Sequence, residues 1–332
     1  MKLHKYHKNP ILLPNSQNSW ESLVVCNPAA WYENGTFYLL YRAAGDDEHH
    51  LIYLGLAISD DGFNFRRISD QPVLAPDIDG YDSGCEDPRL VKMGGLYYVT
   101  YAYRSYPPGR YWAADKKNYV NVPNDGIVPT ALYYNISQTA LAISPDLKTF
   151  KKLGRITTFD YDNRDVILFP EKINGKFVRL ERPVIKPGIP AAIWINYSDN
   201  LMDWEVPRLL IAPEKAWEMK KIGGSTPPLR TEAGWLVLYH GVALYDDQYR
   251  VGALLLDAAD PEIVIARTKD YLMEPEFPYE TAGFYNGCVF PTGNVIVDDT
   301  LFVYYGGADR FCCVATCSVN ELLKYLLSEG KR

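Results

Sequence analysis

Arg42, Arg104, Arg182, His240 and Asp309 each stand where an apolar, aromatic-rich run of the chain gives out. Asn27, Glu86, Asp87, Arg164, Asp165, Ser225 and Thr226 stand just before such runs begin. Guanidinium groups gathered in one place bind anions, and their planar, bidentate fork suits phosphate. A carboxylic acid beside such a cluster can hand a proton to a leaving group. Asp87 is the candidate acid. Partial burial and the adjacent Glu86 are expected to raise its proton affinity. Each residue also has a structural alternative. Arg42 or Arg182 alone could bridge neighbouring elements through Glu86 or Glu181, His240 could be a satisfied strand-end group, and Asp87 could cap the turn ahead of Pro88. Several cations at equivalent places favour a site.

Equivalence follows from a repeat. Five times a proline-bearing segment leads through a turn into an aromatic strand. The segments are Asn27-Pro28-Ala29-Ala30-Trp31, Asp87-Pro88-Arg89-Leu90, Phe169-Pro170-Glu171-Lys172, Pro227-Pro228-Leu229 and Phe290-Pro291-Thr292. The turns are Asn34-Gly35, Gly94-Gly95, Asn174-Gly175, Ala233-Gly234 and Asp298-Asp299, the chemistry that joins antiparallel strands. Two more strand-like runs follow most copies, as in Gly55 to Ser59 and then Phe63 to Ile68. Four strands per copy, at irregular spacings of roughly sixty to eighty residues, predict an all-β, five-bladed β-propeller. The helical spacing of Glu321 to Leu327 predicts a short C-terminal helix. The start of each first strand and the end of each second strand then emerge at one face, where the polar residues above line one funnel.

Composition narrows the function. A net charge of −7 argues against a nucleic-acid binder. The six cysteines have neither CxxC spacing nor histidine partners, so they read as buried thiols in a reducing compartment, not as a metal site. No signal peptide or membrane-length apolar run is visible, so a cytoplasmic protein away from membranes is expected. Residues 1–332 read as a single catalytic domain. One stretch breaks the rhythm at about 103–134. It reads either as a lid or partner-contacting arm or as a disordered decoration, and it holds Tyr111, Trp112 and Tyr119, which could stack on sugar faces.

At these residues the chain resembles glycoside hydrolase family 130, the β-mannoside phosphorylases and related β-mannosidases. The phrases that carry the resemblance are Glu86-Asp87-Pro88-Arg89, Leu168-Phe169-Pro170-Glu171-Lys172 with Arg182-Pro183 after it, Tyr239-His240-Gly241, and Tyr305-Gly306-Gly307-Ala308-Asp309. They lie in the second to fifth copies. The resemblance implies a five-bladed propeller, with Asp87 as the single catalytic acid and Arg164, Arg182 and His240 holding inorganic phosphate. It implies that Asn27, Arg42, Asp309 and Lys172 contact the mannosyl substrate. It further implies an inverting attack of phosphate on a β-mannoside, with the proton passing through the sugar's own 3-hydroxyl and α-mannose 1-phosphate as product. Phosphate is then a co-substrate, and no cofactor or metal is expected. Glu86, where some members carry Tyr, and the insertion leave the acceptor sugar and the β-1,2 or β-1,4 linkage open. A homo-oligomer also stays open. The alternatives are a β-mannosidase on the same scaffold and a non-catalytic carbohydrate-binding propeller.

Overall fold

The computed structural model describes residues 1–110, 132, 134–185 and 191–330. Its strands form five antiparallel sheets in sequence order, the five blades expected from the repeat. Blade one is Val24–Glu33, Thr36–Ala44, Ile52–Ser59 and Arg66–Arg67. Blade two is Glu86–Met93, Leu96–Tyr103, Gln138–Ser144 and Lys151–Arg155, and the sequence insertion lies between its second and third strands. Blade three is Asn163–Leu168, Phe177–Pro183, Ile193–Ser198 and Arg208–Ile211. Blade four starts with a first strand broken into Lys221–Gly224 and Leu229–Thr231, followed by Gly234–Val242, Tyr249–Leu256 and Val264–Arg267. Blade five takes Val289–Val297, Thr300–Gly307 and Phe311–Ser318 from the C-terminal end of the chain, and its outer strand, His4–Lys5, from the N-terminal end. The sequence pattern did not expose this closure, because two residues of strand carry no periodicity.

The hairpin turns behave as their residues require. Asn34 and Asn174 have φ of 51° and 50°, and the glycines that follow them are also left-handed. Asn and Gly tolerate that region best. The helix Val319–Glu329 ends the chain as expected. Ser318 caps it by accepting from the Glu321 N–H at 3.1 Å, and Leu322 and Leu326 bury its inner face. The apolar core is divided among the interfaces between blades. Val25, Leu39, Val295 and Tyr304 pack blade one on five, and Leu40, Leu54, Val99 and Ala140 pack one on two. All six cysteines are free and buried.

Polar clips reinforce four of the five blades, and all four share one register. A buried tyrosine on the second strand lies opposite a small residue on the third. The pairs are Tyr41 and Gly55, Tyr101 and Ala140, Tyr239 and Gly252, and Tyr305 and Cys313. The hydroxyl donates to a carboxylate that precedes the blade: Glu21 at 3.0 Å, Asp82 at 2.8 Å, Glu218 at 2.9 Å and Glu280 at 2.7 Å. An outer-strand cation, respectively Arg67, Lys152, Arg267 or Lys5, completes each clip. Blade three departs: Glu181 takes the tyrosine's place, opposite Trp194. Replacing Tyr239 with Phe strips a donor from buried Glu218. The expected cost is about 1–3 kcal/mol, read as a lower urea midpoint with an unchanged slope; an unaltered midpoint would show that the clip contributes nothing.

Candidate active site

In blades one, two and three the first strand shifts register at its open end, between Cys26 and Ala29, Glu86 and Arg89, and Arg164 and Ile167. One residue in each bulge is left-handed: Asn27 with φ 46°, Asp87 with 51° and Asp165 with 55°. Asn and Asp bear that conformation more easily than other side-chain-bearing residues, and a bulge re-aims the side chain it carries. The same irregularity therefore delivers an amide and two carboxylates to one place. The two carboxylates meet at a cavity of about 370 Å³ whose walls include Arg42, Glu86, Asp87, Arg104, Arg164, Asp165, Arg182, His240 and Asp309; Asn27 is buried behind that wall and is not part of its lining. Residues that the sequence placed in one ring thus come from all five blades to one mouth.

One side of the cavity is cationic. Asp165 is buried and binds Arg182 Nε at 2.5 Å and Arg89 Nη2 at 3.1 Å. Burial alone would raise its carboxyl, but Arg182 and Arg89 outweigh that and hold it far below the usual carboxylate range. Arg164 is gripped by both oxygens of Asp162 at 3.0 Å. Lys221 and Tyr249 line the same wall and hydrogen-bond to each other. Burial, with Arg182 and Arg164 nearby, lowers Lys221 to about 8. Arg89, Arg164, Arg182 and Lys221 therefore face Asp162 and Asp165. Two positive charges are left over, which matches a phosphate dianion.

The other side is anionic. Arg42 Nη1 binds Asp87 Oδ1 at 2.9 Å and lies 3.7 Å from Glu86. Asn27 Nδ2 donates to Asp87 Oδ1 at 2.7 Å and to Asp309 Oδ1 at 3.4 Å. A Cβ at Gly306 would collide with the Asn27 amide, so glycine is required there. Arg42 thus serves three carboxylates. Burial raises Asp309, and the charges of Asp87 and Glu86 add to that effect against Arg42. Asp87 goes the opposite way. Burial pushes its carboxyl up, but Arg42, Arg89 and the Asn27 amide bring it below its ordinary value. The expectation of a raised Asp87 is corrected: its neighbours are cations first and carboxylates second. Arg89 joins the two sides, donating to the Asp87 carbonyl at 2.6 Å as well as to Asp165.

Two further expectations change. His240 is not one of the cations. Burial, reinforced by Arg182 and Lys221 and opposed by Asp165, lowers it to about 3, so the ring is neutral at pH 7. Its Nδ1 shares a hydrogen bond with the Ser225 hydroxyl at 3.2 Å, and a Cβ at Gly223 would strike the ring. Lys172 is not in the cavity. It is exposed just before the Asn174-Gly175 turn, at the far end of the blade-three hairpin, with its Nζ 4.2 Å from the Phe177 ring centre. A substrate contact does not fit that position. Sequence reasoning missed Lys221, Tyr249 and the joining role of Arg89. Lys221 opens the first strand of blade four, two residues before Gly223, the partner of His240; its place at the start of a first strand was the available signal. Tyr111, Trp112 and Tyr119 lie outside the described residues. Among the described residues no cluster of three or more metal-ligand types occurs, and no helix is long and apolar enough to cross a membrane.

Residues 3–328 match the family model described as β-1,4-mannooligosaccharide phosphorylase. The chain is 36% identical to a 1,2-β-oligomannan phosphorylase of Thermoanaerobacter sp. (strain X514), over 97% of this chain and 99% of that protein. It is 29% identical to a β-1,4-mannooligosaccharide phosphorylase of Ruminococcus albus, over 98% and 91%. The solved structure of a β-1,2-mannobiose phosphorylase from Listeria innocua, in complex with β-1,2-mannobiose, superposes with a TM-score of 0.81 at 28% identity, covering 99% of this chain and 100% of that one.

The lowered Lys221 gives the cationic wall a pH signature. Below about 8 the ammonium is charged and favours a dianion; above it the charge is lost. Inorganic phosphate binding, followed by calorimetry, is expected to weaken as pH rises through about 8, and Lys221→Met is expected to bind weakly without that dependence. An unchanged pH profile in the variant would remove Lys221 from the anion site.

Proposed function

The chain belongs to glycoside hydrolase family 130, and on that premise we propose that it is a β-mannoside phosphorylase that inverts the anomeric carbon and releases α-mannose 1-phosphate. The observation that supports this most is the surplus of two positive charges at the cationic wall. A hydrolase has no dianion to hold there. Arg164, Arg182 and Lys221 hold phosphate, with neutral His240 as a hydrogen-bonding partner. Fixed donors of this kind both overcome the repulsion of a dianion and aim it. The substrate's mannosyl unit lies between the two walls and contacts Arg42 and Asp309, which Asn27 supports from behind through Asp87 and Asp309. Arg42 Nε, buried without a partner, is a donor left over for a sugar hydroxyl.

One phosphate oxygen forms a bond to the anomeric carbon as the bond to the glycosidic oxygen breaks. The leaving oxygen takes a proton that originates on Asp87 and passes through the sugar's 3-hydroxyl. Asp87 returns to the carboxylate that Arg42 and Asn27 favour. Its lowered proton affinity makes it a strong acid once loaded. The entering dianion adds to the negative charge that Asp87 feels beside Glu86 and Asp309, which favours the protonated form as phosphate binds. Arginine and lysine supply the charge compensation in this scheme, so it needs no metal and no organic cofactor.

The linkage proposed is β-1,2. The relative at 36% identity is named for that linkage, and the relative named for β-1,4 is at 29%. Incubating the purified chain with β-1,2-mannobiose and phosphate should yield mannose 1-phosphate and mannose in equal amounts, and neither without phosphate. Free mannose in phosphate-free buffer would identify a mannosidase instead. Asp87→Asn is expected to abolish turnover with folding intact; near-normal phosphorolysis by it would remove Asp87 from the scheme. Arg182→Ala should cost on the order of a hundredfold in rate, with a weaker phosphate dependence as its mark.

A further inference from the structure

Blade three lacks the tyrosine clip, and a hollow stands where the clip would be. In the other four blades the tyrosine ring and the outer-strand cation fill the space beside the preceding interblade segment. In blade three that space is a groove of about 470 Å³, lined by Asn163, Arg179, Glu181, Asn196, Tyr161 and Trp204 among others. It opens where blades two and three meet. That interface buries the fewest apolar residues: six described residues form its cluster, against fourteen or more in each of the other four.

The groove is built, not merely unfilled. Glu181 is 1% exposed and accepts from Asn163 Nδ2 at 2.8 Å, Arg179 Nη2 at 2.6 Å and Asn196 Nδ2 at 3.0 Å. Arg179, 3% exposed, lies with its guanidinium carbon 4.1 Å from the Trp204 ring centre. These partners fix amides, a carboxylate and an indole in place. Two buried atoms on groove residues stay unpaired: Arg179 Nε, a donor, and Asn163 Oδ1, an acceptor. An unpaired buried polar atom costs free energy, so a ligand that meets both gains by it.

The lining also defines the ligand. Arg155 and Arg179 face Glu181, Asp203 and Glu205, so neither sign dominates strongly enough to select an ion. Side-chain amides, a carboxylate, tyrosine and tryptophan around one space suit a neutral polyhydroxy molecule, whose hydroxyls both donate and accept. The volume lies within the roughly 300–1,000 Å³ of small-molecule sites. We propose that this groove is a second glycan-binding site, separate from the catalytic cavity, which takes sugar units of an oligosaccharide. That the sugar is a β-mannoside rests on the function proposed above; the groove's preference for a neutral glycan does not.

The test uses the full chain in phosphate-free buffer, so that the sugar is not consumed. β-1,2-Mannotetraose and β-1,4-mannotetraose are each titrated calorimetrically, and phosphorolysis of β-1,2-mannobiose is measured in parallel. Two binding events per chain are expected for at least one tetraose. Trp204→Ala should weaken one of them by about tenfold or more while kcat/KM on mannobiose stays within about twofold. Met202 is 37% exposed on the groove wall, so Met202→Trp blocks the groove without disturbing buried contacts and should give the same result if Trp204→Ala fails to fold. A single binding event for both tetraoses, or two events that survive Met202→Trp, overturns the groove. Two events that lose one in Met202→Trp, without phosphorolysis in the parent, would leave the groove standing and overturn the function instead.

Discussion

The site depends on one buried carboxylate whose partners are cations. Asp165 holds Arg182 and Arg89 together in a place from which water is largely excluded. Two guanidiniums there would repel each other and pay heavily for lost hydration without it. With it, they can stand beside Arg164 and Lys221 and still leave a surplus of charge for an anion. The left-handed conformation of Asp165 is the local cost of this arrangement, of order 1–3 kcal/mol for a non-glycine residue. The bulge that imposes it is the one that also presents Asn27 and Asp87. One backbone irregularity, repeated in three blades, therefore sets both the anion wall and the acid. Arg89 reaches from Asp165 to the Asp87 backbone, so the two walls are mechanically one unit.

The propeller around this unit is held by a second repeated device. A tyrosine, a carboxylate and a cation lock four blades in the same register, and small third-strand residues such as Gly55 and Gly252 leave room for the ring. Blade three gives up the clip. It is also the blade that supplies Arg164, Asp165 and Arg182. Glu181 and Asn163, which replace the clip's chemistry, are the direct chain neighbours of Arg182 and Arg164. The blade that departs from the repeat is thus the one most committed to the anion, and the groove beside it is the space the departure leaves.

Much of this was legible in the residues. Paired strands with Asn-Gly and Gly-Gly turns specify hairpins, so blade number and strand polarity followed. Polarity in turn placed Arg42, Arg104, Arg182, His240 and Asp309 at one mouth. What could not be read was environment. The sequence shows that His240 follows an apolar strand, but not that burial leaves it neutral. It shows Glu86 and Arg89 flanking Asp87, but not that Arg42, from the neighbouring blade, and Arg89 together outweigh Glu86. Lys172 shares a phrase with the site yet sits at the opposite end of its hairpin, because adjacency in a motif does not survive a strand six residues long. The two-residue strand that closes blade five is too short to leave a pattern.

The account is tested most directly by the phosphate dissociation constant of an Asp165→Asn variant, measured by calorimetry on protein shown to be folded by circular dichroism. Asn keeps the size of the side chain and removes its charge. If Asp165 organises the cationic wall, phosphate affinity should fall by about tenfold or more, because Arg182 and Arg89 lose the partner that holds them and the surplus charge disperses. Affinity equal to that of the parent chain would contradict the central claim and leave the cations to be organised by something else.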